Sequence, residues 1–191
     1  DSGNDIWNQL GQDIDGEATN NFSGRSVSIN GDGTIVAIGA YGNDGTGAGN
    51  EGHVRIYQYD SGNDIWNQLG QDIDGESNSD ISGWSVSING DGSRVAIGAY
   101  QNNGTGAADM GHVRIYQYDG TDWIKLGQDI DGEATDDQSG YSVSMNSDGT
   151  IVAIGGWFND GTAAYVNSGH TRIYQYDSIN DIWNQVGHDI D

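Results

Sequence analysis

Several residues recur at fixed places in this chain with side chains able to do chemistry. The motif QDIDGE appears at 12–17, 71–76 and 128–133, which sets Asp13 and Asp15, Asp72 and Asp74, and Asp129 and Asp131 at alternate positions. Alternate residues project from one face of a strand. Each pair therefore offers hard oxygens to Ca2+, with Glu17, Glu76 or Glu133 close by in sequence. The competing reading is a solvated strand end whose charges keep an edge from pairing wrongly, because no full D-x-D-x-D-G pattern is present. His53, His112 and His170 each stand two residues before an arginine, Arg55, Arg114 and Arg172. One repeat separates successive histidines, so a single metal held by three imidazoles is not expected, and they read as half-buried polar strand residues.

Aromatic residues form a second recurring set. Trp7, Trp66, Trp123 and Trp183 share one repeat position and are expected to pack between units, because large aromatics dominate cores. Tyr41, Tyr100 and Trp157 lead into a variable Gly-rich loop, where an aromatic face can stack on a sugar. Asn21-Phe-Ser and Asn103-Gly-Thr match the glycan acceptor pattern in expected loops. No Ser-His-Asp or paired-Glu arrangement stands out from the abundant Asp and Ser, so the chain is expected not to be an enzyme.

The elements that position these residues follow from a repeat. The seventeen residues DSGNDIWNQLGQDIDGE occupy 1–17 and return unchanged at 60–76. Three units, 1–59, 60–118 and 119–176, are followed by a partial fourth, 177–191. A period of this length signals stacked supersecondary units. Each unit carries four strand signals, at 23–30, 34–41, 52–59 and 5–15 in the first copy. The second is apolar almost throughout, as for a strand covered on both faces, while the fourth is polar, as for an edge. The turn between the first two reads INGDGT, INGDGS and MNSDGT, and only its second glycine position (Gly33, Gly92, Gly149) is kept in all three. A tight hairpin with a left-handed residue there explains the pattern. The loops 41–52, 100–111 and 157–169 vary most between copies.

Four antiparallel strands per unit imply β-propeller blades. The stretch 22–59, with Phe22–Ser23–Gly24, VAIGA at 36–40 and GHVRIY at 52–57, resembles an FG-GAP repeat, the blade unit of integrin α-subunit propellers. It is similar above all to the FG-GAP-like repeats of secreted and surface microbial proteins. Phe22 becomes Ile81 and Gln138 in later copies, and the Asp-rich calcium loop of integrin blades has shrunk to NGDGT. Asn30 and Asp32 supply too few oxygens for a calcium sphere, so that site does not carry over. A β-trefoil-like fold and an open blade array are the alternatives, since three blades do not comfortably close a ring.

Composition sets the outer limits. Six Lys and Arg against 29 Asp and Glu give a formal charge of −23, which excludes nucleic acid as an expected partner. No apolar run approaches a membrane span, so no membrane insertion is expected. The absence of cysteine excludes thiolate chemistry and disulfides. With no signal peptide and no initiator Met, the chain is expected to be a mature or excised segment. The expected role is an extracellular or cell-surface structural and adhesive scaffold that requires no cofactor, with Ca2+ and glycans as candidate ligands. Self-association is expected end to end through 1–15 and 177–191, into a ring or filament. The alternative is a carbohydrate-binding module using the variable loops.

Overall fold

The computed structural model describes residues 6–45, 49–104, 108–160 and 167–191. These form three antiparallel sheets and no helix. The first sheet contains β1 (Ser26–Ile29), β2 (Ile35–Ala40), β3 (His53–Asp60), β4 (Ile65–Gln68) and the short β5 (Ile73–Asp74). The second contains β6 (Ser85–Ile88), β7 (Arg94–Ala99), β8 (His112–Tyr118), β9 (Trp123–Lys125) and β10 (Ile130–Asp131). The third contains β11 (Ser139–Met145), β12 (Ile151–Gly156), β13 (His170–Asp177) and β14 (Ile182–Gln185). The order is sequential, β1-β2-β3-β4 in the first sheet, so each sheet is a meander of the β-propeller blade kind.

The outer strand of each blade comes from the next repeat. Tyr59 pairs with Trp66, Tyr118 with Trp123 and Tyr176 with Trp183, so DIWNQ of one copy completes the blade of the copy before it. The chain then kinks and pairs with the same neighbour again: Ile73 faces Val54 and Asp74 faces His53. In the second blade Ile130 faces Val113 and Asp131 faces His112. Residues 6–10 of the first copy form no strand, and Trp7 is fully exposed.

The hairpin between β1 and β2 is made by its own side chains. Asn30 Oδ1 accepts from the backbone N–H groups of Thr34 and Ile35, both at 2.9 Å, and Asp32 Oδ1 accepts from Thr34 N–H at 3.0 Å. Gly33, Gly92 and Gly149 have φ of +77°, +77° and +67°, a region that disfavours a β-branched side chain. The oxygens that a calcium loop would use are engaged by the turn.

The core lies between blades. One cluster joins Val54, Ile56 and Ile73 of the first blade to Val86, Val95 and Trp123 of the second. The next joins Val113, Ile115 and Ile130 to Val152, Ile154 and Trp183. Hydrogen bonds cross the same seams: Ser26 Oγ donates to Gly83 O and Ser85 Oγ to Gly140 O, each at 2.7 Å. A Cβ at Gly39 or Gly98 would overlap the carbonyl oxygens of Gly83 and Gly140, so the close approach of blades requires glycine there. The recurring tryptophans seal the seams, for Trp66, Trp123 and Trp183 donate their indole N–H to the carbonyls of Leu10, Leu69 and Leu126 at 2.7–2.9 Å.

Candidate functional site

The blade register brings together residues far apart in sequence. In each blade a histidine at the start of the third strand meets a glutamate that precedes the blade and an aspartate that follows its outer strand. The sets are Glu17–His53–Asp72, Glu76–His112–Asp129 and Glu133–His170–Asp189, and within each the potential ligand atoms lie within 4.8 Å of one another. His53 Nδ1 is 3.9 Å from Glu17 Oε2, 3.7 Å from Asp72 Oδ2 and 4.0 Å from Asp74 Oδ1. His170 Nδ1 is 3.9 Å from Glu133 Oε2 and 3.8 Å from Asp189 Oδ2. These gaps exceed a direct hydrogen bond.

Each carboxylate has one oxygen held by an outer partner. The Asp72 Oδ1 accepts from Gln68 at 2.6 Å, Asp129 Oδ1 from Lys125 at 2.8 Å and Asp189 Oδ1 from Gln185 at 2.6 Å. The glutamates meet an arginine through Oε1: Arg55 lies 3.6 Å from Glu17, Arg114 3.2 Å from Glu76 and Arg172 3.7 Å from Glu133. Those arginines are fixed in turn, because they donate to the backbone carbonyls of Asp15, Asp74 and Asp131. The second oxygens, Asp72 Oδ2, Glu17 Oε2, Asp189 Oδ2 and Glu133 Oε2, face the imidazole. Partners outside a ligand set that orient its members in this way are common in metal sites.

The imidazoles are buried, with only 2% of the His53 and His170 side chains exposed. Burial lowers the pKa of His53, and it lowers that of His112 to about 4, with the Arg114 charge acting in the same direction. Both rings are therefore neutral near pH 7. Nε2 of His53 and of His112 is buried without a hydrogen-bond partner. Burial also raises the pKa of Asp74 and Asp131 from the ordinary aspartate value, and neighbouring Asp72 and Asp129 add to that.

The second set opens into a cavity of about 200 Å³ lined by Glu76, Asp80, Asn102, His112, Asp129 and Asp131, among others. That is smaller than ordinary drug-sized pockets of about 300 Å³ upward, and suits a water cluster or a monosaccharide-sized ligand. Asp80 forms one wall: it is buried, and its Oδ2 accepts from Asn102 Nδ2 at 2.8 Å and from Ser77 N–H at 2.9 Å.

The other sequence candidates fall out differently. Asp72 and Asp74 both face the His53 imidazole, Asp129 belongs to the His112 set, and Asp131 pairs in register with His112 and lines the same cavity. Asp13 and Asp15 join no such set among the described residues; Asp13 keeps its outer partner Gln9 at 2.9 Å, and Asp15 contributes a carbonyl to Arg55. An imidazole nitrogen with carboxylate oxygens also differs from the all-oxygen shell expected of calcium. His53, His112 and His170 are buried, not half-buried, each at the centre of its own carboxylate set. Asn21 is buried at the position occupied by Asp80 and Asp137 in later copies, which leaves no room for a glycan, whereas Asn103 is exposed. Tyr41, Tyr100 and Trp157 lie in one run of rings with Phe22, Trp84 and Tyr141, at centroid spacings of 4.8–5.6 Å. Within that run Tyr41 and Tyr100 are half-buried, while Trp157 at its end is 52% exposed. Parts of the variable loops (46–48, 105–107 and 161–166) and residues 1–5 of the expected end-to-end contact lie outside the described residues.

Among solved structures, the blades superpose on a candidate 6-phosphogluconolactonase of Bacteroides uniformis with a TM-score of 0.57 at 12% identity, over 86% of this chain and 40% of that one. A candidate 6-phosphogluconolactonase of Bacteroides fragilis matches with a TM-score of 0.52 at 14% identity, over 86% and 38%. The chain thus spans about two-fifths of the length of these structures, and what they share with it is the propeller fold. No family model matches, and no curated protein does. These findings correct the sequence expectations. The structural neighbours are propellers of the lactonase type, not FG-GAP blades of the integrin kind. They are described as enzymes, and nothing supports adhesion, so neither the structural and adhesive scaffold nor the expectation of no enzymatic activity stands. The carbohydrate-binding alternative gains no support from them either.

Proposed function

We propose that this chain is a run of blades from a β-propeller hydrolase that opens a small, uncharged cyclic ester. The observation that carries the proposal is the cavity of the second blade, where Asp131, Asp129, Glu76 and the neutral His112 converge in a space of monosaccharide size. The likeness in fold to candidate 6-phosphogluconolactonases supports the reaction class.

The Asp131 carboxylate takes a proton from a water molecule as the water oxygen adds to the ring carbonyl. Collapse of the tetrahedral intermediate breaks the ring C–O bond. The proton passes to the departing ring oxygen, so one lactone and one water give one hydroxy acid. Substrate charge is set by the lining. Glu76, Asp80, Asp129 and Asp131 surround the cavity, and in a chain of formal charge −23 they repel a phosphate group. A neutral sugar lactone fits better than its phosphate ester.

The test follows ring opening of glucono-1,5-lactone and of its 6-phosphate by pH-stat, against the buffer rate. Catalysed opening of the neutral lactone, lost in Asp131→Asn and kept in Asp13→Asn, is expected. No rate above buffer, or a preference for the phosphorylated lactone, overturns the proposal.

A further inference from the structure

The Glu–His–Asp sets recur in all three blades, which a single reaction centre does not require. We infer that each set binds one divalent transition-metal cation, so that the chain carries three equivalent sites that clip successive blades together. This inference does not rest on the hydrolase reading.

Three independent features converge on it. The first is an imidazole more than nine-tenths buried whose Nδ1 looks into a pair of carboxylates from beyond hydrogen-bond distance, 3.7 Å from Asp72 and 3.9 Å from Glu17. No hydrogen bond ties that Nδ1 to either carboxylate, and a buried polar nitrogen in this condition calls for a ligand. The second is spacing. Ligands about 2.0–2.1 Å from a zinc-like ion are about 3.4 Å apart at the tetrahedral angle. In the first and third sets the imidazole Nδ1 lies 3.7–3.9 Å from each near carboxylate oxygen, a few tenths of an ångström beyond that spacing, and all three donors lie within 4.8 Å of one another. The third is the outer shell: Gln68 or Gln185 holds the far oxygen of the aspartate, and Arg55 or Arg172 faces that of the glutamate, which turns the near oxygens toward the imidazole, where Glu17 Oε2 also accepts a long hydrogen bond from Asn43 Nδ2 at 3.3 Å.

The donors also identify the cation class. One imidazole nitrogen with two carboxylate oxygens suits a borderline ion such as Zn2+, whereas Ca2+ selects oxygen alone. The wiring gives the sites a further property. Asp72 and Glu76 belong to one QDIDGE motif, yet Asp72 serves the first set and Glu76 the second. Asp129 and Glu133 divide in the same way between the second and third. Each motif therefore couples two neighbouring sites.

The test is calorimetric titration of the chelator-treated chain with ZnCl2. Three sites per chain are expected, with Ca2+ in excess failing to displace the zinc. His53→Gln and His170→Gln should each remove one site, and the double variant two, while His188→Gln, which lies outside the sets, should leave three. Co2+ titration of the unsubstituted chain is a second readout that no folding defect can obscure. Visible absorption of imidazole-ligated, low-coordinate Co2+ at three equivalents is expected. Zinc binding indifferent to His53→Gln and His170→Gln, binding lost in His188→Gln, or unchanged hexaaqua Co2+ absorption overturns the inference. Zinc binding without lactone turnover would remove the hydrolase reading alone, and turnover without zinc binding would remove this one alone.

Discussion

Four tryptophans occupy the same place in nearly the same sequence, yet their energetic roles should differ widely. Trp123 is 7% exposed, sits in the core between the first two blades and donates its indole N–H to Leu69 O at 2.7 Å. Trp123→Ala removes that burial and opens a cavity, so a loss of about 3–5 kcal/mol is expected. Trp123→Phe keeps most of the apolar area and strands the Leu69 carbonyl, a loss of about 1 kcal/mol. Trp183, 3% exposed with its indole on Leu126 O, should behave as Trp123 does. Trp7 has the identical flanking sequence of Trp66 but is 102% exposed, so Trp7→Ala should change stability by no more than about 0.5 kcal/mol. Trp66 should fall between, since its partner Leu10 is itself 52% exposed. Urea denaturation followed by circular dichroism and by fluorescence gives the four values, and coincidence of the two probes checks that the blades unfold together. Equal losses from Trp7→Ala and Trp123→Ala would refute the assignment of tryptophan to the seam with the preceding unit.

Three further outcomes are expected. Gly98→Ala should destabilise by about 3 kcal/mol or more in the same assay, because its Cβ would overlap Gly140 O, whereas Gly120→Ala meets nothing and should cost only the left-handed backbone, about 1 kcal/mol. Ile81, a β-branched residue at φ +58°, carries backbone strain, so Ile81→Asn should raise the urea midpoint by the equivalent of about 1 kcal/mol. With chelator present, the buried His112 makes stability depend on pH. Its pKa is about 4 in the folded chain against an ordinary 6.5, so stability is full above pH 6.5 and is lost as pH falls toward 4, by roughly 3 kcal/mol. The raised carboxylates Asp74, Asp80 and Asp131 act in the opposite sense, but they are common to wild type and His112→Gln. The stability difference between those two proteins should therefore shrink or reverse between pH 6.5 and 4, and a difference that is flat with pH would count against a neutral buried ring.

Much of the blade was legible because local chemistry dictates it. The left-handed glycine at 33, 92 and 149 follows from the turn, and the all-apolar second strand follows from burial on both faces. What stayed hidden was the frame. A periodic sequence looks the same wherever its repeat is cut, so nothing in DIWNQ reveals that it pairs with the blade before it. That offset also hid the site. Glu17, His53 and Asp72 each recur once per unit, yet they meet only when the aspartate is taken from the following copy. The tyrosines at the variable loops misled for a related reason, since their ring partners Trp84 and Tyr141 stand on neighbouring blades. Equivalence between copies has the same weakness. Ser147 stands where Gly90 does, yet a serine is not free at 90, because a Cβ there meets the side chain and backbone of Ser147 itself.

The offset explains why QDIDGE hardly varies. A residue in a solvated strand end answers to nothing and is free to drift, as the neighbouring loops 42–52 and 101–111 have done. In QDIDGE at 71–76 and 128–133 the first Asp belongs to the histidine set of one blade, the second pairs in register with that same histidine, and the Glu belongs to the set of the next. Ile73 and Ile130 between the aspartates are buried, in the first and second inter-blade cores respectively. Gly75 and Gly132 cannot take a Cβ without meeting the carbonyls of Glu51 and Met110. Every position from the first Asp to the Glu therefore has a neighbour that a substitution would disturb, and two of those neighbours lie in different blades. Exchange of Asp72 or Glu76 alone should accordingly weaken one zinc site each, the first for Asp72→Asn and the second for Glu76→Gln, with the third unaffected. Titration of the two variants that shows both weakening the same site would mean that the motif serves a single blade.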